Sequence, residues 1–141
     1  MALKVTRADV WTATVEDRVG GAAEKFEALA RAKVNLEFAL ARRTPENPGK
    51  GILFAYPLKG AKAIRAAQEA GFAKSASIHS VRIEGPDKPG TAARIARALA
   101  EAGISFRGLA ASALGRRFVG FVALDSAEDA KKAAAVLRKL A

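Results

Sequence analysis

When the chain is slid against itself so that Asp17 falls on Asp87, Arg18 falls on Lys88, Gly20 on Gly90, and Ala22-Ala23 on Ala92-Ala93. The register holds without a gap: Leu29 meets Leu99, Ala32 meets Ala102, Val34 meets Ile104 and Asn35 meets Ser105, while upstream Trp11 and Ala13 meet Val81 and Ile83. Agreement of this kind argues duplication, and two copies make a tandem pair instead of a solenoid, which needs three or more. A chain of 141 residues holds one ordinary core or two small ones. The division expected is residues 1–74 and 75–141.

The plan of one unit is plainest in the second copy. Val81 and Ile83 alternate with Arg82 and Glu84, the period of a half-buried strand, before Gly85-Pro86 and Asp87-Lys88-Pro89-Gly90 punctuate the run. From Thr91, the apolar residues Ala92, Ile95, Ala96 and Leu99 recur at helical spacing, and Gly103 stands where a helix end favours a left-handed residue. A second strand is expected from Ile104 through Phe106 to Leu109, then a tight connection at Leu114-Gly115-Arg116-Arg117, a third strand over residues 118–124 and a last helix. Ser126 with Asp129 reads as a capping box with the shorter acid, and Ala130, Ala133, Ala134 and Leu137 form a buried stripe.

In the first copy the same reading gives a strand at residues 10–15, a loop at 16–21 and a helix at 22–32 with Ala22, Phe26 and Leu29 inward. Val34, Leu36, Phe38 and Leu40 alternate as a strand, residues 42–50 connect with Pro45, Asn47, Pro48 and Gly49, and residues 51–56 form the third strand. A helix at 60–70 and a fourth strand at 72–78 complete it. The second copy runs out before a fourth strand, leaving a sheet edge that some other segment should cover. Residues 3–7 are the candidate within the chain.

Strand-helix-strand-strand-helix-strand, twice, is α+β: two ferredoxin-like βαββαβ repeats, antiparallel sheets with helices on one face. The run Pro86-Asp87-Lys88-Pro89-Gly90-Thr91 after a strand, followed by Ala102-Gly103-Ile104-Ser105-Phe106, resembles the ACT domain family of small ligand-sensing modules. Over the whole chain the pattern is similar to stand-alone tandem ACT proteins without a catalytic domain. The loop has a chemistry of its own, because a Gly-rich turn at a helix N-terminus exposes backbone N–H groups beside the positive end of the helix dipole, where a carboxylate binds. The resemblance implies an amino-acid ligand between this loop and the start of the second strand of a neighbouring domain. Carried onto this sequence, the ligand-binding positions are Asp87, Lys88, Pro89, Gly90, Thr91 and Ser105 in one repeat and Arg18, Val19, Gly20 and Asn35 in the other. The plainer reading gives the glycines to the turn, and Asp17 and Asp87 to local turn formation. Val19 replaces Pro89, and Lys33 replaces Gly103, so the first copy departs further from the pattern, and a composite site drawn from both halves is conceivable.

Composition narrows the classes. The chain has no cysteine, one histidine, no metal-ligand spacing and no phosphate-loop fingerprint, so neither an enzyme nor a cofactor or metal is expected. His79 reads as a linker or strand residue and Trp11 as one at a strand end or interface. The N-terminus lacks the pattern of a secretory signal and no apolar run reaches the roughly 20 residues of a spanning helix, so a cytoplasmic protein is expected, with a homodimer or higher homo-oligomer as its assembly. The net charge of +10 favours anionic contacts. RNA binding is the alternative reading: the segment from Arg117 to Leu124 partly matches the third-strand signature of RNA recognition motifs, with Phe118 and Val119 breaking the match, and Phe54 and Tyr56 are aromatic residues that face one side of their strand.

Overall fold

The computed structural model describes residues 3–140. In chain order its elements are β1 (Lys4–Ala8), β2 (Trp11–Glu16), α1 (Gly21–Arg31), β3 (Phe38–Arg43), β4 (Lys50–Tyr56), α2 (Ala61–Glu69), β5 (Ala73–Lys74), β6 (His79–Pro86), α3 (Thr91–Glu101), β7 (Phe106–Leu114), β8 (Arg117–Leu124) and α4 (Ala127–Arg138). They form two compact units, an N-terminal one over Asp9–Ser75 and a C-terminal one that joins the residues up to Ala8 with those from Ala76 onward.

Each unit has one four-stranded antiparallel sheet, in the order β3-β4-β2-β5 and β7-β8-β6-β1. The two orders superpose element for element, with β1 in the place that β5 fills in the other unit. β1 pairs antiparallel with β6, Val5 opposite Ile83 and Arg7 opposite Val81, so the start of the chain covers the edge that the second repeat leaves open. Val5 is buried in that unit's core with Val81, Ile83, Ile95, Leu99, Val122 and Leu137. Gly85 makes room for the approach: a Cβ there would lie 2.6 Å from Leu3 Cδ2. Arg138 at the end of α4 fastens the strand from outside, donating from Nε and Nη2 to the Val5 carbonyl at 3.1 and 3.0 Å.

In the N-terminal unit Trp11, Ala13, Leu29, Leu53, Ala55 and Phe72 make the core, with Ala22 and Phe26 packed against it; Trp11 is thus a core residue. Lys25 of α1 donates to the Ala70 carbonyl at 2.5 Å, placing a cation on the negative end of α2. Ser126 accepts from the Asp129 N–H at 3.0 Å, the predicted cap, and the predicted stripe of α4 is buried. On α3 the stripe starts at Thr91, which is buried, while Ala92 faces solvent.

Two strands differ from expectation. Val34 and Leu36 pack on the core without joining the sheet, and β3 starts only at Phe38 and runs on to Arg43. The cause is the exit from α1. Val34 N–H bonds Leu29 O at 3.1 Å and Lys33 N–H bonds Ala30 O at 2.9 Å, a Schellman closure that turns the chain before it can pair. Gly103 and Ile104 close α3 onto Ala100 and Leu99 in the same way, and Gly71 and Phe72 close α2 onto Gln68 and Ala67. Likewise β5 is two residues long instead of seven, and residues 75–78 carry the chain across to the other unit's sheet.

All three closures need a left-handed residue: Gly103 has φ 72°, Gly71 has φ 97°, and Lys33 has φ 61°. The side chain of Lys33 makes this conformation costly by about 1 kcal/mol. Lys33→Gly is therefore expected to raise the melting temperature by a few degrees, and a fall would show that the Lys33 side chain contributes more than its backbone costs. Arg138→Gln is expected to lower stability by about 1 kcal/mol and to speed amide hydrogen exchange in β1 and β6 ahead of the rest of the sheet.

Candidate functional site

Both β-α loops enter their helix through a glycine in the left-handed region, Gly20 and Gly90, each at φ 87°. A side chain there costs about 1–2 kcal/mol, so the turn alone calls for glycine. Neither helix start carries a side-chain cap; the first N–H of each helix bonds back into its loop, Gly21 N–H to Arg18 O at 3.1 Å and Thr91 N–H to Lys88 O at 3.3 Å. The next positions diverge. A Cβ on Gly21 would lie 2.6 Å from the Glu16 carbonyl oxygen, so the first loop is drawn tight, whereas Thr91 donates from Oγ1 to the Lys88 carbonyl at 2.9 Å and widens the second.

A tether that the sequence did not reveal fixes both loops. Asp17 N–H donates to Gly49 O at 3.0 Å, and Asp87 N–H donates to Arg116 O at 2.8 Å. In each unit the aspartate's backbone is thus hooked to the turn between the two strands that follow the helix. The hairpin turns differ: the C-terminal one has only Gly115-Arg116 between paired Leu114 and Arg117, with Gly115 at φ 63°, and the N-terminal one spans residues 44–49. The fold supplies the reason for the common anchor, since the first strand of each unit ends where the third begins.

The hairpins bring charge to the loops. Arg43 Nε donates to Asp17 Oδ2 at 2.9 Å, Lys50 pairs with Glu16, and Arg18 Nη2 reaches both carboxylate oxygens of Glu24 at 2.9 Å. A depression of about 330 Å³ opens here, lined by Glu16, Asp17 and Arg18 of the loop, Ala22 of α1, residues 41–43 of β3, and Val15, Gly51 and Leu53. The C-terminal loop has a cleft of about 20 Å³ between Lys88, Thr91, Arg94 and Leu3. On β6, Glu84 accepts from Arg82 at 2.9 Å and from Arg117 at 3.2 Å, and these two guanidinium bonds, that of Arg82 first, hold its carboxyl below the ordinary value near 4.5.

Arg18, Val19 and Gly20 thus lie together on one loop, with Val19 fully exposed, and Asp87, Lys88, Pro89, Gly90 and Thr91 on the other. Asn35 and Ser105 are exposed, before β3 and β7. Each stands at the far end of an 11-residue helix from its own loop, roughly 16 Å along the axis. No single unit brings loop and strand-start residue together. Asn35 instead borders a second depression, of about 790 Å³, with Lys33, Pro57, Lys59 and Lys62. The sequence pattern gives Arg43 and Arg116 no role and reads Arg117 only against the RNA-recognition signature, although a ferredoxin-like order already places that turn beside the loop.

The RNA signature is not presented by β8: Phe118 is 6% exposed within the core and Phe121 7% exposed, so neither ring is open to a base. Among the described residues, no helix is long and apolar enough to cross a membrane.

Fold and loops together define a tandem of ferredoxin-like units, each presenting a glycine-entered helix start. Residues 79–141 match the family model of the ACT domain, and the N-terminal unit repeats the sheet order of the unit that holds them. The chain is similar in structure to protein BT0572 from Bacteroides thetaiotaomicron, with a TM-score of 0.74 at 22% identity, covering 96% of this chain and 99% of that one. It is also similar to the regulatory subunit of aspartate kinase from Thermus thermophilus in its ligand-free form, TM-score 0.64 and 20% identity over 97% and 95% of the two chains. The corresponding subunit from Thermus flavus gives 0.62 and 19% over the same shares. No curated protein matches the chain. At these identities the neighbours establish the fold.

Because Glu84 is held below its ordinary value, its contribution to stability is present above about pH 4.5 and is lost as the pH falls through the folded value. Glu84→Gln is expected to flatten the fall in melting temperature on acidification below pH 4.5, and an unchanged acid slope would remove Glu84 from the account.

Proposed function

We propose that this chain is a non-catalytic regulatory protein that binds a small amino acid or related metabolite at the β-α loops of its ACT-type units. The observation that carries the reading is the coincidence of the ACT match over residues 79–141 with a pre-shaped loop, Gly90 at φ 87° and Asp87 tied to the hairpin. Backbone N–H groups at such a helix start suit a carboxylate. The Thermus neighbours are regulatory subunits of aspartate kinase, which accords with it.

The proposed residues are Asp87, Lys88, Pro89, Gly90, Thr91 and Ser105, with Arg18, Val19, Gly20 and Asn35 in the other unit. Since loop and strand start stand apart within a unit, a loop site would be completed by a neighbouring ACT unit. A homo-oligomer formed in the cytoplasm is the proposed setting, and β3 and β7, the longer edge strand of each sheet and largely exposed, are the edges through which sheets of two copies would meet.

A thermal-shift screen of the purified protein against the proteinogenic amino acids tests the reading. A ligand at about a hundredfold its Kd stabilises by about 2.7 kcal/mol, a rise of several degrees for a domain of this size. A saturable rise with one amino acid or a related few is expected; none with any amino acid would overturn the proposal.

A further inference from the structure

The two loops differ most in the space beside them. The C-terminal cleft, about 20 Å³, has room for about one water molecule. The N-terminal depression, about 330 Å³, reaches the lower end of the range in which small-molecule sites fall. Its floor is apolar, from Val15, Ala22 and Leu53, and its rim carries both signs of charge.

The rim pair is half used. Arg43 gives its Nε to Asp17 Oδ2, which leaves the terminal guanidinium nitrogens of Arg43 and the second carboxylate oxygen of Asp17 available side by side. An α-amino acid offers the complementary pair, a carboxylate and an ammonium on one carbon. It can lie head to tail along Arg43–Asp17 without breaking that bond, its carboxylate on the guanidinium fork and its ammonium on the aspartate. A charged ligand side chain laid on the floor would be desolvated against Val15 and Ala22, whereas a small aliphatic one would be covered there without that cost.

We infer that the ligand is held in this N-terminal depression, and that it is a zwitterionic α-amino acid with a small uncharged side chain, Arg43 binding its carboxylate and Asp17 its ammonium. The inference rests on the amino-acid-binding reading above and adds to it the unit, the two charged partners and the ligand class. Arg43 belongs to the hairpin strand β3, outside the loop positions that the sequence pattern singled out.

Isothermal titration of the full chain with L-alanine, L-valine, L-aspartate and L-lysine tests it, with isovalerate and isobutylamine as valine lacking one charge each. Binding of alanine or valine is expected, weakened at least tenfold for both single-charge analogues and for aspartate and lysine. Arg43→Gln and Asp17→Asn should each weaken it at least tenfold with circular dichroism unchanged, and Arg43→Lys, which keeps the charge but not the fork, should weaken it less than Arg43→Gln. The analogue series needs no variant and stands even where a substitution disturbs folding. Amino-acid binding that survives Arg43→Gln and Asp17→Asn but is lost in Gly90→Val would overturn the inference and leave the proposed function in place. If no amino acid binds the unaltered protein, the proposed function falls and the inference with it.

Discussion

The pairing of β1 with β6 is the contact on which the rest of the C-terminal unit depends. The sheet of each unit has four strands in the order second-third-first-fourth, and among the described residues those from Ala76 onward supply only three. Without a fourth, β6 would present an unpaired row of backbone donors and acceptors, and Ile83 and Val81 would lose the cover of Val5. The start of the chain fills the place, held by the ladder, by Leu3 seated against Gly85 and by the two bonds from Arg138. The N-terminal unit therefore lies in sequence between β1 and β6, and the four-stranded sheet of the C-terminal unit includes β1. Cutting at the repeat boundary would leave an edge open to other chains.

This closure follows from accounting for strands, which is why it was legible in the sequence. The helices were legible to within a residue or two, since glycine stops and apolar stripes are local. What sequence reading misjudged was decided by backbone geometry that no side-chain pattern signals. Val34 and Leu36 have a strand's alternation, but the Schellman turn at Lys33 sends them over the core before they can reach β4, and a left-handed lysine leaves no trace in the sequence unless it is compared with Gly103. β5 is short for a similar reason: its residues must serve both as a sheet edge and as the passage to the other unit. The loops themselves could be placed from Gly20 and Gly90, while their hooks to the hairpins, made by backbone atoms of Gly49 and Arg116, have no side-chain signature at all.

The duplicated loop shows how two copies of one design can hold the same backbone while changing its surroundings. Glycine conformation and the aspartate tether are common to both. Around them the charges were rearranged: Glu24 in the first turn of α1 faces Arg18, whereas α3 has no acid in its first turn and the aligned residue is Arg94. The backbone features belong to the turn and serve folding in either copy, so they do not tell which copy binds. The side chains that the hairpins add are free of that structural duty, and it is there that the two units differ.

That separation bears on why the exposed ion pairs of the N-terminal loop persist. A surface pair such as Arg43–Asp17, with the arginine largely in solvent, contributes little to stability, on the order of 0–1 kcal/mol. Three such pairs around one short loop therefore do little to hold the fold that the glycines and the tether do not already do. Their effect is to orient charge: each cation lies against an acid, so the rim of the depression presents paired charges of both signs. A zwitterion has almost no net charge to be drawn by the protein's overall positive field, and it is recognised only by paired charges set at the spacing of its own. An ordered pair above an apolar floor meets that requirement, whereas a surplus of lone cations, however large, would favour anions of any shape.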